Sequence, residues 1–318
     1  MPSIDPALFR PEAVDPETAA FNLKLEEMLS KVPPTHLVPP AQTRAAREAG
    51  GGLFGAIQTD PDAVTRSIPG RAGAVPVRIT QPKTRAARGI YIDIHGGGWV
   101  LGRAHHGDLR NRAIAENVGV AVVSVDYRLA PEDPYPAGPD DCEDATAWVL
   151  KHAAAEFGSD RLLIGGGSAG GHLAAVTVLR MRDRHGYTGF LGANLVFGVF
   201  DVGQTPSSAT WGTRNLVLNS EVMRWFGECF APAASWRDPD VSPLYAKLHD
   251  MPPALFTVGT MDPLLDDSLF MHSRWLAAGN EGELAIYPGG VHGFTGLGSS
   301  LGRKANAHSD TWLNARLA

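Results

Sequence analysis

A serine enclosed by glycines is the first group in this 318-residue chain that could do chemistry. Ser168 stands in Gly166-Gly167-Ser168-Ala169-Gly170. The apolar run Leu162-Leu163-Ile164 precedes it, and a helical pattern of Leu173, Ala174, Val176, Val178 and Leu179 follows. The G-x-S-x-G spacing predicts a tight strand-to-helix turn that holds the hydroxyl clear of a sheet and points helix N–H groups at whatever it attacks. Glycines two residues to either side let the backbone pass. The same letters hold a rival, because Gly165, Gly167 and Gly170 also spell the G-x-G-x-x-G of a dinucleotide cradle. That reading needs an acid at the end of the next strand, about 20 residues on. Asp183 has roughly that distance but lies in a polar helix end, and the next apolar strand ends too late, at Asp201.

A hydroxyl becomes a nucleophile only when a base takes its proton, and the base needs a partner to fix its tautomer. After the apolar run Ala254-Leu255-Phe256-Thr257-Val258 comes Asp262, and after the run at 283–287 comes His292 between Gly290 and Gly293. The order Ser168, Asp262, His292 is that of a serine nucleophile on a parallel sheet. Asp266 and Asp267 compete with Asp262, but both fall in the first turn of a helix, where acids are common for dipole reasons; Asp266 is the fallback. His172, on the helix after Ser168, reads as a structural hydrogen-bonding residue. A tetrahedral intermediate also needs N–H donors. His95-Gly96-Gly97-Gly98-Trp99 follows another buried run and supplies bare backbone. The expected donors are the N–H groups of Gly96, Gly97 and Ala169, with His95 anchoring the loop.

These residues need elements to hold them. Strand patterns occur at 75–79, 89–94, 118–125, 161–164, 194–200, 254–258 and 283–287, with helical patterns at 106–116, 140–155, 169–182, 264–278 and 301–317. The alternation predicts an open, doubly wound, mostly parallel α/β sheet. Residues 1–52 read as two helices, the first capped by Asp15 and stopped before Pro33-Pro34. Some fifty residues separate the strand ending at Phe200 from the one at Ala254, far more than a crossover needs. The expected division is N-terminal cap helices at 1–52, core at 53–200, a cap insertion at 201–237 and core again at 238–318. The insertion is rich in aromatics, and Trp211, Trp225 and Phe226, with Trp99, are the candidate substrate contacts.

Charged residues are 19% of the chain and the net charge is −6, so no basic field exists to hold nucleic acid or an anionic membrane. A small neutral molecule is the expected partner. Cys142 and Cys229 show no metal spacing and are too few for a disulfide framework, and no metal is expected. The first residues, Met1-Pro2-Ser3-Ile4-Asp5-Pro6, lack the basic and apolar regions of an export signal, and no apolar run approaches the roughly 20 residues of a membrane anchor. A cytoplasmic enzyme is the expectation.

Five stretches together carry a resemblance. They are His95-Gly96-Gly97-Gly98-Trp99, the Asp126-Tyr127-Arg128-Leu129-Ala130-Pro131-Glu132 run, Ser168-Ala169-Gly170-Gly171, Asp262-Pro263-Leu264 and His292-Gly293-Phe294. In order and spacing the chain resembles the hormone-sensitive-lipase-like α/β-hydrolases, the bacterial family IV esterases, over about residues 75–317. The resemblance implies an α/β-hydrolase fold with an eight-stranded sheet and a helical cap. It also implies a serine carboxylesterase for short acyl chains, without cofactor and often a homodimer, with Tyr127-Arg128 as a buried brace. One departure is plain: Gly167 stands where the family usually has an acid or threonine. The same three residues would also serve a lactone, a carbamate or an aryl amide. A non-catalytic small-molecule receptor on this fold is the rival from another class.

Overall fold

The computed structural model describes residues 4–52 and 55–318. The expected boundary at 52–53 therefore adjoins two residues outside the described ones.

Two helices come first, α1 (Pro16–Leu29) and α2 (Pro40–Glu48). The Asp15 carboxylate caps α1 by accepting from the Thr18 N–H, with Pro16 at the first position, where a missing N–H costs nothing. Then follow β1 (Val64–Gly70), β2 (Gly73–Thr80), β3 (Ile90–Ile94), α3 (Asp108–Val118), β4 (Ala121–Val125), α4 (Ala137–Phe157), β5 (Leu162–Gly167), α5 (Ala169–His185) and β6 (Gly192–Val196). The insertion carries α6 (Pro206–Thr210) and α7 (Ser220–Phe230), the latter capped by Asn219. The chain closes with β7 (Ala254–Met261), α8 (Leu265–Ala277), β8 (Gly282–Val291) and α9 (Ser300–Arg316).

The eight strands form one sheet in the order β1-β2-β4-β3-β5-β6-β7-β8. β2 runs antiparallel to β1 and β4, and every pair from β4 to β8 is parallel. Successive residues on the central strands face opposite sides, so the sheet separates two apolar cores. Ile90, Ile92, Ile94, Leu162, Ile164 and Phe256 pack with residues of α4, α5 and α8 such as Val149, Leu173 and Trp275. Tyr91, Leu163, Leu255 and Val258 pack on the other side with Ile114 and Val118 of α3 and Trp312 and Leu313 of α9. Both faces being covered explains why these strands read as continuous apolar runs.

The pattern differs from the expectation at the margins. Only Ile68 of β1 is buried, so this edge strand offers too little apolar periodicity to be seen. β6 stops at Val196 rather than 200, because Phe197 turns into positive φ. β8 extends to Val291, taking in Pro288-Gly289-Gly290 at the sheet edge. The N-terminal segment touches the insertion through Arg214 on Glu26 (2.9 Å) and His36 near Glu221 (3.6 Å). It meets the core where Asn22 donates to the Gly289 carbonyl (2.8 Å) and Arg44 to those of Val100 (2.8 Å) and Ala130 (2.7 Å).

Candidate active site

Close backbone packing creates the turn at Ser168. A Cβ on Gly170 would lie 1.9 Å from the Ile94 carbonyl oxygen, and one on Gly166 2.3 Å from the same atom. Glycine at both positions lets β5 and the start of α5 lie against β3. Ser168 itself has φ 58 and ψ −123, a conformation that a residue with a Cβ holds only when its surroundings enforce it. Its N–H donates to the Val196 carbonyl (2.9 Å), which pins the turn to the end of β6.

Two neighbouring strand ends bring in the other groups. β7 and β8 approach so closely that a Cβ on Gly259 would meet the Gly290 carbonyl at 2.0 Å. Asp262 follows β7 directly and His292 follows β8, with Gly293 at φ 75 turning the chain away. The His292 Nδ1 lies 2.9 Å from Asp262 Oδ2 and 3.1 Å from Oδ1, and its Nε2 lies 2.9 Å from Ser168 Oγ. Asp262 Oδ1 also accepts from the Leu264 N–H (2.9 Å), so the carboxylate cannot swing away without opening its own turn. Asp262 and His292 are 1% and 5% exposed. A buried carboxylate and imidazole in line with a half-buried hydroxyl can move a proton off that hydroxyl.

Asp266 and Asp267 do other work. The Asp266 carboxylate accepts from the Ser207 N–H (2.8 Å), and that of Asp267 from the N–H groups of Phe200 (2.6 Å) and Asp201 (2.9 Å) and the Thr205 hydroxyl (2.6 Å). Both fasten the base of the insertion to α8, and neither faces His292.

The glycine loop lies beside Ser168. A Cβ on Gly96 would come 3.4 Å from Ser168 Cβ and 2.7 Å from the Gly167 oxygen, so this backbone touches the turn itself. Gly97 and Gly98 have φ of 121 and 60. The loop is braced from below: the Tyr127 hydroxyl donates to the His95 carbonyl (2.9 Å), and the two rings stack 4.2 Å apart. Burial holds the His95 imidazole down at about 4, so it stays neutral. Arg128 is tied to the carboxylate of Asp141 (2.9 Å).

A family model described as the alpha/beta hydrolase fold matches residues 91–296, a span that holds every residue named so far at the site. The chain belongs to this family. Among its relatives, the carboxylic ester hydrolase LipN of Mycobacterium tuberculosis is 35% identical over 81% of this chain and 69% of its own length. The ethyl acetate hydrolase of Pseudomonas putida is 30% identical over 91% and 94%. A solved structure, the hyperthermophilic esterase from the archaeon Pyrobaculum calidifontis, superposes with a TM-score of 0.84 at 28% identity, covering 96% of this chain and 99% of the other. This α/β-hydrolase is of the hormone-sensitive-lipase-like kind, and it is a carboxylic ester hydrolase.

The aromatic residues of this hydrolase are distributed differently from the expectation. Trp99, expected as a substrate contact, is packed into the apolar core. Its φ of 60 turns the ring inward, where it is 3% exposed, stacks on Phe230 at 4.5 Å and donates through Nε1 to His172 Nδ1 (3.0 Å). A tryptophan after three glycines looks like a pocket wall in sequence, and only the backbone angle reveals that it belongs to the core. Phe226 lies against the loop, since a Cβ on Gly98 would fall 2.3 Å from its ring. Trp225 leans on Phe226 at 5.0 Å, and the Trp211 indole N–H donates to the Arg214 carbonyl (2.8 Å). Phe197 was not anticipated. It sits beside His292 with ring centroids 4.9 Å apart, a placement that follows from its positive φ and has no sequence signal.

Among the described residues, one group has the donor types of a metal site. Glu48, His105 and His106 bring their ligand atoms within 4.8 Å of one another at the end of α2. Each imidazole Nε2 already bonds the carboxylate, at 3.0 and 2.7 Å, which ties α2 to the segment between the glycine loop and α3. The site at Ser168 includes none of them.

Proposed function

We propose that this hydrolase cleaves esters of short carboxylic acids through a serine acyl-enzyme. Ser168 Oγ attacks the ester carbonyl while His292 Nε2 takes its proton. Asp262 keeps the Nδ1–H tautomer and balances the imidazolium that forms. The oxyanion is received by the N–H groups of Gly96, Gly97 and Ala169, two from the glycine loop and one from the start of α5. His292 then returns the proton to the leaving alkoxide, the alcohol departs, and water repeats the cycle on the acyl-enzyme.

The observation that carries this reading is the unbroken relay from Asp262 Oδ2 through His292 to Ser168 Oγ, with 2.9 Å at each link. Those distances are already within proton-transfer reach before any substrate binds. A receptor on the same fold would have no use for such a relay. The limit on acyl length is assigned to the Phe226 ring, which lies on Gly98 of the loop beside Ser168.

Hydrolysis of p-nitrophenyl acetate and butyrate tests the proposal. Ser168→Ala should lower turnover by roughly 10⁶ and Asp262→Asn by about 10⁴, the scale of serine proteases. Wild-type turnover in Ser168→Ala would end the proposal.

A further inference from the structure

Phe197 is where β6 ends, and it is held in an unusual way. Its N–H donates to the Thr257 carbonyl (2.6 Å), fixing the strand end against β7. The backbone then enters φ 37, a region that a bulky side chain occupies only when its neighbours over-determine it. This conformation delivers the ring, 5% exposed, into the seam between the end of β5 and the end of β8. On one side lies Gly167, whose missing Cβ would come 3.2 Å from Phe197 Cε2. On another lies His292, with the two rings at 61° and centroids 4.9 Å apart. Phe294 backs the ring at 6.0 Å.

We infer that Phe197 is a positioning residue for the His292 imidazole, and that Gly167 is glycine so that the phenyl ring can take this place. The inference rests on the catalytic roles proposed above. An imidazole held only through its two nitrogens can still tilt about the line joining them. A rigid ring packed steeply against it removes that freedom and keeps water out of the proton path. A Cβ at 167 would press on the edge of the phenyl ring at 3.2 Å, so the ring would have to give by a few tenths of an ångström, and with it its packing on His292. The residue before the nucleophile and the strained residue after β6 therefore act as one device.

The decisive experiment is a double-mutant cycle on Gly167→Ala and Phe197→Leu, read by steady-state kinetics with p-nitrophenyl butyrate. Proton NMR of the His292–Asp262 hydrogen bond provides a second, activity-independent signal. Phe197→Leu, which keeps an apolar filling but loses the flat ring, should lower kcat roughly 10- to 100-fold, the penalty typical of a small misplacement. KM should stay within about threefold, because the displaced group acts on the chemical step. The bridging proton should exchange faster with water. Gly167→Ala should lower kcat by itself and much less in the Phe197→Leu background. If Phe197→Ala fails to fold, the leucine variant and the cycle still decide. Wild-type kcat and an unchanged proton signal in Phe197→Leu would overturn the inference, as would strictly additive effects of the two substitutions. Either result leaves the triad standing, since that is judged by Ser168→Ala alone.

Discussion

His172 shows how burial assigns work among imidazoles. It lies four residues after Ser168 in sequence, yet its Nδ1 accepts from the Trp99 indole and its Nε2–H donates to the Val241 carbonyl (2.8 Å). Both nitrogens are satisfied only in the neutral form, and burial pushes the imidazole down to about 4. An unfolded histidine titrates near 6.5. As pH falls through that value the unfolded chain binds the proton first, so the contribution to stability is full above 6.5 and is lost toward 4. His95, also held at about 4, adds to the same slope. The melting temperature of the wild type should therefore fall as the pH is lowered through this window. His172→Leu should flatten the slope while costing about 1–3 kcal/mol at pH 8, where the Trp99 N–H is left without its acceptor. Calorimetry across the pH range checks both. At this scale the residues in short contiguous motifs were legible. Ser168, Asp262 and His292 each follow a strand, and their spacing brings them to one edge. Trp99 and Phe197 were not legible, because a positive φ at a non-glycine residue leaves no mark in the sequence.

At the scale of elements, the insertion is held by α8. Asp267 collects two backbone N–H groups and the Thr205 hydroxyl where β6 leads into α6, and desolvation raises its carboxyl to about 7 despite those donors. The unfolded chain gives up this proton near 3.9 and the folded one keeps it until about 7. Stability thus declines as pH rises through the interval and is flat above it. An asparagine can accept both N–H groups and donate to Thr205, so Asp267→Asn should gain on the wild type from pH 4 to about pH 7 and hold that gain at pH 8. Melting curves at four or five pH values measure this. A variant less stable at pH 8 would mean that the donors outweigh the burial. Sequence patterns predicted the buried strands and their helices well, because both faces of the sheet are covered and the apolar runs are long. β1 escaped because only Ile68 is buried. The use of Asp266 and Asp267 escaped because an acid in a first helical turn looks the same whether it serves the dipole or a distant loop.

For the whole molecule, one sheet presents its strand ends, and the N-terminal helices and the insertion meet above them. Two polar pairs join those parts, Glu26 with Arg214 and His36 with Glu221, beside an apolar cluster that holds Leu25 of α1 and Leu216 of the insertion. Exposed pairs of this kind contribute under about 1 kcal/mol each, and the proposed limit on the acyl chain is the apolar ring of Phe226. Phe226→Ala should widen the range of acyl chains, raising kcat/KM for octanoate relative to acetate, as a p-nitrophenyl ester series will show. An unchanged ratio would place the acyl limit elsewhere in the insertion. Everything proposed for the site requires that the hydroxyl at 168 be the atom that takes the acyl group. Mass spectrometry after inactivation with a p-nitrophenyl phosphonate answers this most directly. The prediction is one adduct per chain, on Ser168, forming in step with the loss of esterase activity and hardly at all in His292→Ala. An adduct on another residue, or full activity with Ser168 labelled, would contradict the account.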